Sequence, residues 1–561
     1  MRKLLLCVLV CAVALSAGGL LPAVARAETA KPVAVVSVTS YNELVSDANF
    51  IGKLADRPEL GNLLEGGLAL VTQGKGLTGV DKSRPWGGIV QTDGKDFTGY
   101  VFLPITDLKQ VLDLLKLYSK VEEQGKGVFK VSPKDGKKPA FVKAEGGWAF
   151  FAEKPEILGQ VSGDPASLLL GMEKRYVVAL RVFAANVPSH LREKALSQFQ
   201  EKARQGAHRN PKESEEVFKA RQKVGEDVLR SIVGAVNDLD QVMLGWALDR
   251  EAEKTYLDLS IKAKQGTATA GQLALLEKTT SMFEGFRASG ATLAANWVAQ
   301  LSGAKIESLT ELVDSLKKQA ILDLEKKVPA EKREAAKQVI VDVAQLIDET
   351  LKSGKCDGAV TVMLDPHAVT GLAATYVANG ATVERILHTV ADFVTKENPT
   401  VGGWIKFDAG SVKSVHIHTV TIPVGSDAKD REKVVQMFGE SVVVAIGVGP
   451  NGVYAAAGRD AVAKLKTAIE ASAGQAGKVV PPVDISLNAE SLTGFIAEMG
   501  KPHEKAGAAA ANKELKKTPN QDHVTLVARP IPNGVQYHLE IEQGIVRMAG
   551  HLASKQKDSD E

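Results

Sequence analysis

Hydrophobic and polar residues follow two alternating patterns along this chain, one with the period of a strand and one with the period of a helix. Val33–Val38 is apolar enough for a strand, and Ser40 with Glu43 has the spacing of a helix capping box. Pairs of short strands separated by turn residues then alternate with amphipathic helices. Few strands have the continuous apolar character of buried parallel strands, so the pattern predicts an α+β fold with mainly antiparallel sheets and amphipathic helices.

The hairpin predicted over Val242–Leu248 and Thr255–Ala263 contains a strand with two unlike faces. Its alternate residues divide into an apolar set and a polar set. The apolar set is Leu257, Leu259, Ile261 and Ala263, and the polar set is Asp258, Ser260 and Lys262.

Two later segments have less regular patterns. Ser411–Thr421 has the alternation of one long strand. Lys501–Gln521 is rich in Ala and Lys and has no apolar stripe, so it predicts a solvated helix or a loop.

The order of these elements recurs in the second half of the chain. Leu257–Ile261 aligns without gaps with Tyr537–Ile541 at an offset of 280 residues. Any two half-buried strands share alternation by chance, but the ordered recurrence of several elements favours an internal duplication. We therefore predict two tandem α+β repeat halves, 28–285 and 286–553, followed by a disordered tail over 554–561.

Residues 1–27 have the pattern of a cleavable secretory signal. Arg2 and Lys3 precede an uncharged apolar run, Leu4–Leu21, and residues 25–27 (Ala-Arg-Ala) have the small-x-small pattern of a cleavage site. A retained membrane anchor is the alternative, because the run is about as long as a short transmembrane helix. Glycine and proline near its end favour the signal, so we expect cleavage after Ala27 and a periplasmic or secreted protein.

Composition narrows the function classes further. Residues 1–27 hold three of the 69 Lys and Arg and none of the 67 Asp and Glu, so the mature chain carries 66 positive and 67 negative groups. This balance argues against nucleic-acid binding by bulk charge. Aromatic residues are only 5% of the chain, which argues against stacking platforms for sugars or bases. No segment after the signal is long and apolar enough to span a bilayer, so the mature chain is expected to be soluble and to have no integral membrane segment.

Cysteine usage excludes an internal disulfide in the mature chain. Cys7 and Cys11 lie in the predicted signal, which leaves Cys356 alone. A lone thiol can be a nucleophile, but no His lies near Cys356 in sequence. We interpret Cys356 as a buried or incidental residue.

Two glycine-rich stretches have the G-x-G-x-x-G spacing of a dinucleotide site, Gly447–Gly452 and Gly74–Gly79. Such a site needs a strand before the glycines and a helix after them. Val453–Ala457 has the pattern of another strand, so the first stretch is interpreted as a hairpin turn and the second as a flexible turn. No P-loop, nucleophile elbow or zinc-protease motif occurs, and the sequence predicts no catalytic residue and no cofactor.

His416 and His418 lie two apart on a predicted strand and so point to one face. Such a pair can supply two nitrogens to zinc or copper, but a site needs three or four ligands. Asp408 is a possible neighbour that nothing in the sequence fixes there. We interpret the pair as solvent-facing, and the sequence leaves metal binding open.

One region resembles a known group of proteins. Its marks are Pro85-Trp86-Gly87-Gly88, then Thr92-Asp93-Gly94, then Phe102 to Asp107 (Phe-Leu-Pro-Ile-Thr-Asp) before an apolar helix. This pattern resembles large secreted proteins of unknown function from planctomycete bacteria, over the signal and residues up to about 180. The resemblance implies an exported α+β protein and brings no catalytic residue, cofactor or substrate.

These observations favour a non-enzymatic exported protein that acts by binding or as a structural component of the envelope. Two other functions stay open. One is a carrier of a lipid or other apolar ligand held between a sheet and amphipathic helices. The other is a hydrolase whose site is built from residues distant in sequence.

Overall fold

The computed structural model describes residues 30–559 except 160, 162, 207, 212, 289 and 426–430. The predicted signal and its cleavage site lie outside the described residues. The chain divides into two compact units that interleave in sequence. Unit 1 contains the chain up to Leu196, Asp238–Gln265 and the chain from Gln536 onward; unit 2 contains Ser197–Asn237 and Gly266–Val535.

Unit 1 is built on an antiparallel sheet. Its strands are β1 (Lys31–Val38), β2 (Trp86–Thr92), β3 (Phe97–Pro104), β4 (Ser119–Glu123), β5 (Val128–Pro133), β6 (Ala140–Glu145), β7 (Trp148–Ala152), β8 (Val178–Val182), β9 (Leu239–Asp249) and β10 (Lys254–Ala263). They pair in the order β4-β5-β6-β7-β3-β2-β1-β8-β9-β10. Gln536–Glu542, most of strand β20 (Gly534–Glu542), then pairs with β10.

Helices connect and flank these strands. They are α1 (Tyr41–Leu54), α2 (Leu60–Val71), α3 (Leu108–Leu115), α4 (Pro155–Leu158), the start of α5 (Ser189–Gln205) and α16 (Gln543–Ser559). The predicted cap at Ser40 is present, because its side chain accepts a hydrogen bond from the backbone N–H of Glu43. Asp107 likewise accepts two backbone hydrogen bonds at the start of α3. Helix α16 extends into the segment for which a tail was predicted.

The main core of unit 1 lies on one face of this sheet, which we call the inner face. Phe102, Trp148 and Phe150 point into it from β3 and β7 and are almost fully buried. Leu158 of α4 and two short 3-10 segments, Pro165–Leu169 and Met172–Lys174, cover it from the other side. On the opposite, outer face, α3 packs only against the β5–β7 end of the sheet.

Unit 2 has its own antiparallel sheet. Its strands are β11 (Leu293–Gln300), β12 (Lys355–Asp365), β13 (Ala368–Tyr376), β14 (Ile405–Val412), β15 (Val415–Pro423), β16 (Ser441–Gly449), β17 (Gly452–Gly458), β18 (Val483–Asn488) and β19 (His523–Ile531). They pair in the order β14-β15-β16-β17-β13-β12-β11-β18-β19. Counted from the first strand of each unit, both sheets have the order 4-5-6-7-3-2-1-8-9.

Most helices of unit 2 join these strands. They are the rest of α5, α6 (Glu215–Asp238), α7 (Ala268–Ala274), α8 (Gly303–Lys327), α9 (Ala330–Lys352), α10 (Gly380–Glu397), α11 (Pro399–Gly402), α12 (Arg431–Phe438), α13 (Ala461–Gln475), α14 (Ala489–Met499) and α15 (Pro502–Leu515). Phe283 and Phe286 are fully buried beside Leu465 of α13, which centres the core on the segment before β11.

The α+β class with antiparallel sheets is confirmed. The structure also corrects the predictions for two segments. Ser411–Thr421 is not one strand, because Lys413 takes a left-handed conformation and the chain turns between β14 and β15. Lys501–Gln521 contains the helix that was one of its two predicted alternatives, α15, but the last turn of this helix is not solvated, because Leu515 is buried.

Candidate functional site

The outer face of unit 1 carries an open apolar surface on β8, β9 and β10. Leu180 pairs with Leu244, which pairs with Leu259; Val178 pairs with Trp246, which pairs with Leu257. Because directly paired residues share a face, these side chains form rows across three strands. Val178, Leu180, Leu244 and Leu257 are exposed to 40%, 38%, 47% and 37%.

This outer apolar face consists of Val178, Leu180, Val182, Val242, Leu244, Trp246, Leu257, Leu259 and Ile261. The other five side chains are each partly open to solvent. The one polar group among them, the Trp246 indole N–H, donates to the Thr255 hydroxyl at 2.8 Å. Contiguous exposed apolar surface of this kind marks binding sites in soluble proteins.

The inner face of β10 is polar and buried. Asp258 is fully buried, and its two carboxylate oxygens have separate partners. The Arg175 guanidinium and the Tyr176 hydroxyl donate to Oδ2 at 2.9 and 2.8 Å, and His538 Nδ1 lies 2.6 Å from Oδ1. Strand β10 therefore buries Asp258 and Ser260 and leaves Leu257, Leu259 and Ile261 at least partly open to solvent, the reverse of an ordinary surface strand.

The residues around Asp258 fix one another. The Tyr176 ring lies against Gly245, where a Cβ atom would come within 2.5 Å of it. Burial and the hydrogen bond to Asp258 raise the pKa of Tyr176, so this hydroxyl stays a donor. The His538 ring packs on Tyr256 with centroids 4.9 Å apart. These contacts form a fully paired structural cluster, which we call the Asp258 cluster.

Sequence reasoning missed this cluster because Asp258 and His538 lie 280 residues apart. The single signal was the gap-free alignment of their strands, in which these two residues occupy equivalent positions. An alignment shows likeness and says nothing about contact, so it gave no reason to bring the two side chains together.

His416 and His418, the pair singled out in the sequence, lie in two different environments in unit 2. His416 is exposed, with Nδ1 3.3 Å from a carboxylate oxygen of Asp408, whereas His418 is buried. The backbone N–H of Asp408 donates to His418 Nδ1 at 3.2 Å, and His418 Nε2 lies 2.9 Å from Glu384 without hydrogen-bond geometry. His418 thus connects the bulge of β14 to α10. The prediction that both side chains face solvent is wrong for His418.

The other residues singled out in the sequence lie in ordinary positions. Gly449 pairs with Gly452, so Gly447–Gly452 holds a hairpin, as predicted, whose two-residue turn is Pro450–Asn451. Gly74, Gly76 and Gly79 have positive φ angles, in agreement with the predicted turn. Cys356 lies on β12, partly exposed and unpaired.

An open depression of about 560 Å3 lies in unit 2 beside the connection between α5 and α6. It is lined by His208, Asn210, Glu213, Val217, Arg221, Leu316 and Gln319. Arg221 spans it with two hydrogen bonds to Glu213 and one to the carbonyl of His208. Five of its seven lining residues are polar or charged, and Arg221 and Glu213 among them form an ion pair at 3.0 Å.

Two buried carboxyl groups in unit 2 have perturbed pKa values. Asp357 accepts hydrogen bonds from the Ser281 hydroxyl and the Met282 N–H, both at 2.7 Å. Asp484 lies 2.9 Å from Arg287. Burial raises the pKa of each above the ordinary value of 3.8, because removal from water disfavours the charged form.

The raised pKa of Asp357 predicts a pH-dependent effect of Asp357→Asn. Between pH 4 and the raised pKa, the folded state binds more protons at this carboxyl than the unfolded state, so its contribution to stability falls as pH rises. Asparagine does not titrate. We expect the stability of the variant relative to the parent to increase as the pH rises from 4 to 7. Urea unfolding of both proteins across this range measures it, and a constant difference would contradict it.

No helix among the described residues is both long and apolar enough to cross a bilayer. Comparisons with protein families, with characterised proteins and with solved structures found no match to this chain.

Proposed function

We propose that this protein is a non-enzymatic binding protein that works outside the cytoplasm and holds a lipid or similar apolar ligand on the outer apolar face of unit 1. The observation that carries the proposal is the run of nine large apolar side chains over three strands, four of them well exposed. The predicted signal peptide supplies the location. The hypothesis of an apolar-ligand carrier thus takes precedence over a purely structural role.

The chemistry of the face favours acyl chains over a protein partner. Protein interfaces surround an apolar centre with polar groups that fix orientation. On the outer apolar face the nine side chains carry no charge, and the Trp246 indole is already hydrogen-bonded within the sheet. An acyl chain needs no hydrogen bonds, and covering the face gains about 25 cal/mol for each Å2 removed from water.

We also infer that the chain arose by internal duplication. The shared strand order of the two sheets and the alignment of β10 with β20 support this inference. In both units, a larger core on one face is accompanied by a smaller one on the other, where α3 or α10 packs. Separate origins would have to produce the same nine-strand order twice.

Leu244→Glu is expected to remove most of the bound lipid. A carboxylate at the centre of the outer apolar face must lose its hydration when an acyl chain covers it, which costs several kcal/mol. We expect at least a tenfold loss of lipid that co-purifies with the mature protein from its own envelope, measured by native mass spectrometry and solvent extraction.

The matched control for this variant is Leu70→Glu. Leu70 is 81% exposed on α2, in the same unit and away from the face. The control should keep the lipid of the parent protein. Equal lipid in both variants, a lipid-free parent, or a protein bound to the parent in place of lipid would each overturn the proposal.

A further inference from the structure

Three polar side chains that form no ion pair among the described residues lie on the inner face of unit 1, beyond the Asp258 cluster. Arg181 on β8 pairs with Met243 on β9, and Met243 pairs with Ser260 on β10. Lys262 follows two residues after Ser260, on the same face. One row of the sheet therefore places a guanidinium and a hydroxyl on either side of Met243, with an ammonium in the next row.

Arg181 carries a charge that the protein does not neutralise. Its Nε is buried and has no hydrogen-bond partner, and its Nη2 contacts the thioether of Met243 at 3.9 Å. Burial lowers the pKa of Arg181, and no described carboxylate forms an ion pair with it. Arg181 is partly buried and only its Nε is closed off from solvent, so an oxyanion would supply the acceptor that this nitrogen lacks.

Ser260 and Lys262 supply the remaining donors. Ser260 is only 9% exposed, its hydroxyl is not among the buried atoms that lack a partner, and no hydrogen bond to it is seen among the described residues. Lys262 is partly exposed, and within the described chain its ammonium group makes no ion pair. Both groups can therefore donate to a ligand that reaches this row.

The surrounding charges leave this row positive. The nearest carboxylate in sequence, Asp258, lies on the same face two residues before Ser260. Arg175, Tyr176 and His538 already bind both of its oxygens. Lys254, at the other end of β10, is paired with Glu540 and Glu542. Glu173, in the 3-10 segment Met172–Lys174 that covers this face, has a buried Oε2 without a hydrogen-bond partner, but among the described residues it forms no ion pair with Arg181 or Lys262. The charges of Arg181 and Lys262 are therefore left for something outside the protein.

We propose that Arg181, Ser260 and Lys262 form an oxyanion-binding site for a phosphate or carboxylate group. A planar guanidinium binds two oxygens of such a group, while the hydroxyl and ammonium groups donate to the others. The site is on the opposite face of the strands that carry the outer apolar face, so it does not depend on lipid binding there. Its anion comes either from a small solute or from a lipid headgroup.

The test uses the mature full-length protein with inorganic phosphate, in buffer containing about 150 mM NaCl. We expect saturable binding by calorimetry and a rise in melting temperature with phosphate.

Arg181→Gln should weaken phosphate binding at least tenfold, and Ser260→Ala and Lys262→Gln should weaken it severalfold. Lys174→Gln, which changes an exposed lysine of the same unit, should bind like the parent. The melting temperature without phosphate shows which variants are folded. If Arg181→Gln is not folded, the weaker binding expected for Ser260→Ala still tests the site.

A second arm uses vesicles of phosphatidylcholine with and without phosphatidic acid. If the protein binds inorganic phosphate and the variants bind it more weakly, the site is assigned to a small oxyanion. Binding only to vesicles that contain phosphatidic acid, lost in Arg181→Gln, assigns it to a lipid headgroup. Failure to bind either probe, or equal binding by the parent and all three variants, would overturn the site, whatever happens to Leu244→Glu.

Discussion

Replacing Asp258 with alanine is expected to destabilise unit 1 by about 3–5 kcal/mol, the usual cost of removing one partner from a buried charged network. The fully buried Tyr176 hydroxyl would lose its acceptor, and His538 Nδ1 would lose the carboxylate that holds it. Arg175 is half exposed and can turn to water, so most of the cost comes from the two groups that stay buried.

Hydrogen exchange locates this effect. In Asp258→Ala, the amides of β10 and of Gln536–Glu542 should exchange much faster, because the cluster connects these two strands. Asp113→Ala is the matched control, since Asp113 forms an exposed ion pair with Lys116 in the same unit and should change little. Unchanged protection in Asp258→Ala would mean that the cluster does not stabilise the strand pair.

Replacing Gly285 with alanine is expected to destabilise unit 2 by about 3 kcal/mol, at the upper end of the range for overpacked cores. A Cβ atom there would lie 2.2 Å from the backbone nitrogen of Ser472 and 2.4 Å from the carbonyl oxygen of Ala468, both in α13. Backbone atoms cannot swing aside as side chains do. The segment would move away from α13 and displace Phe283 and Phe286 from the core.

Gly474→Ala, on the same helix, is expected to stabilise the protein and serves as the matched control. A Cβ atom at Gly474 meets nothing within 4 Å, so alanine should stabilise α13 by a few tenths of a kcal/mol to about 1 kcal/mol. Thermal melts of the two variants should shift in opposite directions. A melt of Gly285→Ala that matches the parent would show that the segment is not packed against α13 as described.

Local patterns in the sequence were sufficient to predict most of the fold. The cap at Ser40 and the hairpins at Val242–Ala263 and Gly447–Gly452 depend on residues close together in the chain, and the structure contains them. The break at Lys413 was missed because a left-handed lysine leaves no mark in the alternation of polar and apolar residues. Strand β13 was missed because small residues such as Gly371 and Ala373 blur that alternation.

The candidate sites were beyond the reach of sequence patterns for a different reason. The alternation of apolar and polar residues correctly assigned Leu257 and Leu259 to one face of β10 and Asp258 and Ser260 to the other. It does not say which of these two faces is buried in the protein. An apolar set normally faces the core, and here it faces outward. Arg181 gave no signal at all, because a charged residue in a strand is ordinary until its missing partner is seen.

The interleaving of the two units has a consequence for the order of folding. Strand β10 ends at residue 263, whereas the strand that covers its edge begins only near residue 536, and Lys254 and Glu540 are 286 positions apart. Until the ribosome releases these last residues, β10 remains an unprotected edge and Asp258 lacks His538. Unit 1 therefore completes last although most of it is made first. A truncation before residue 536 should produce aggregation through the bare edge of β10.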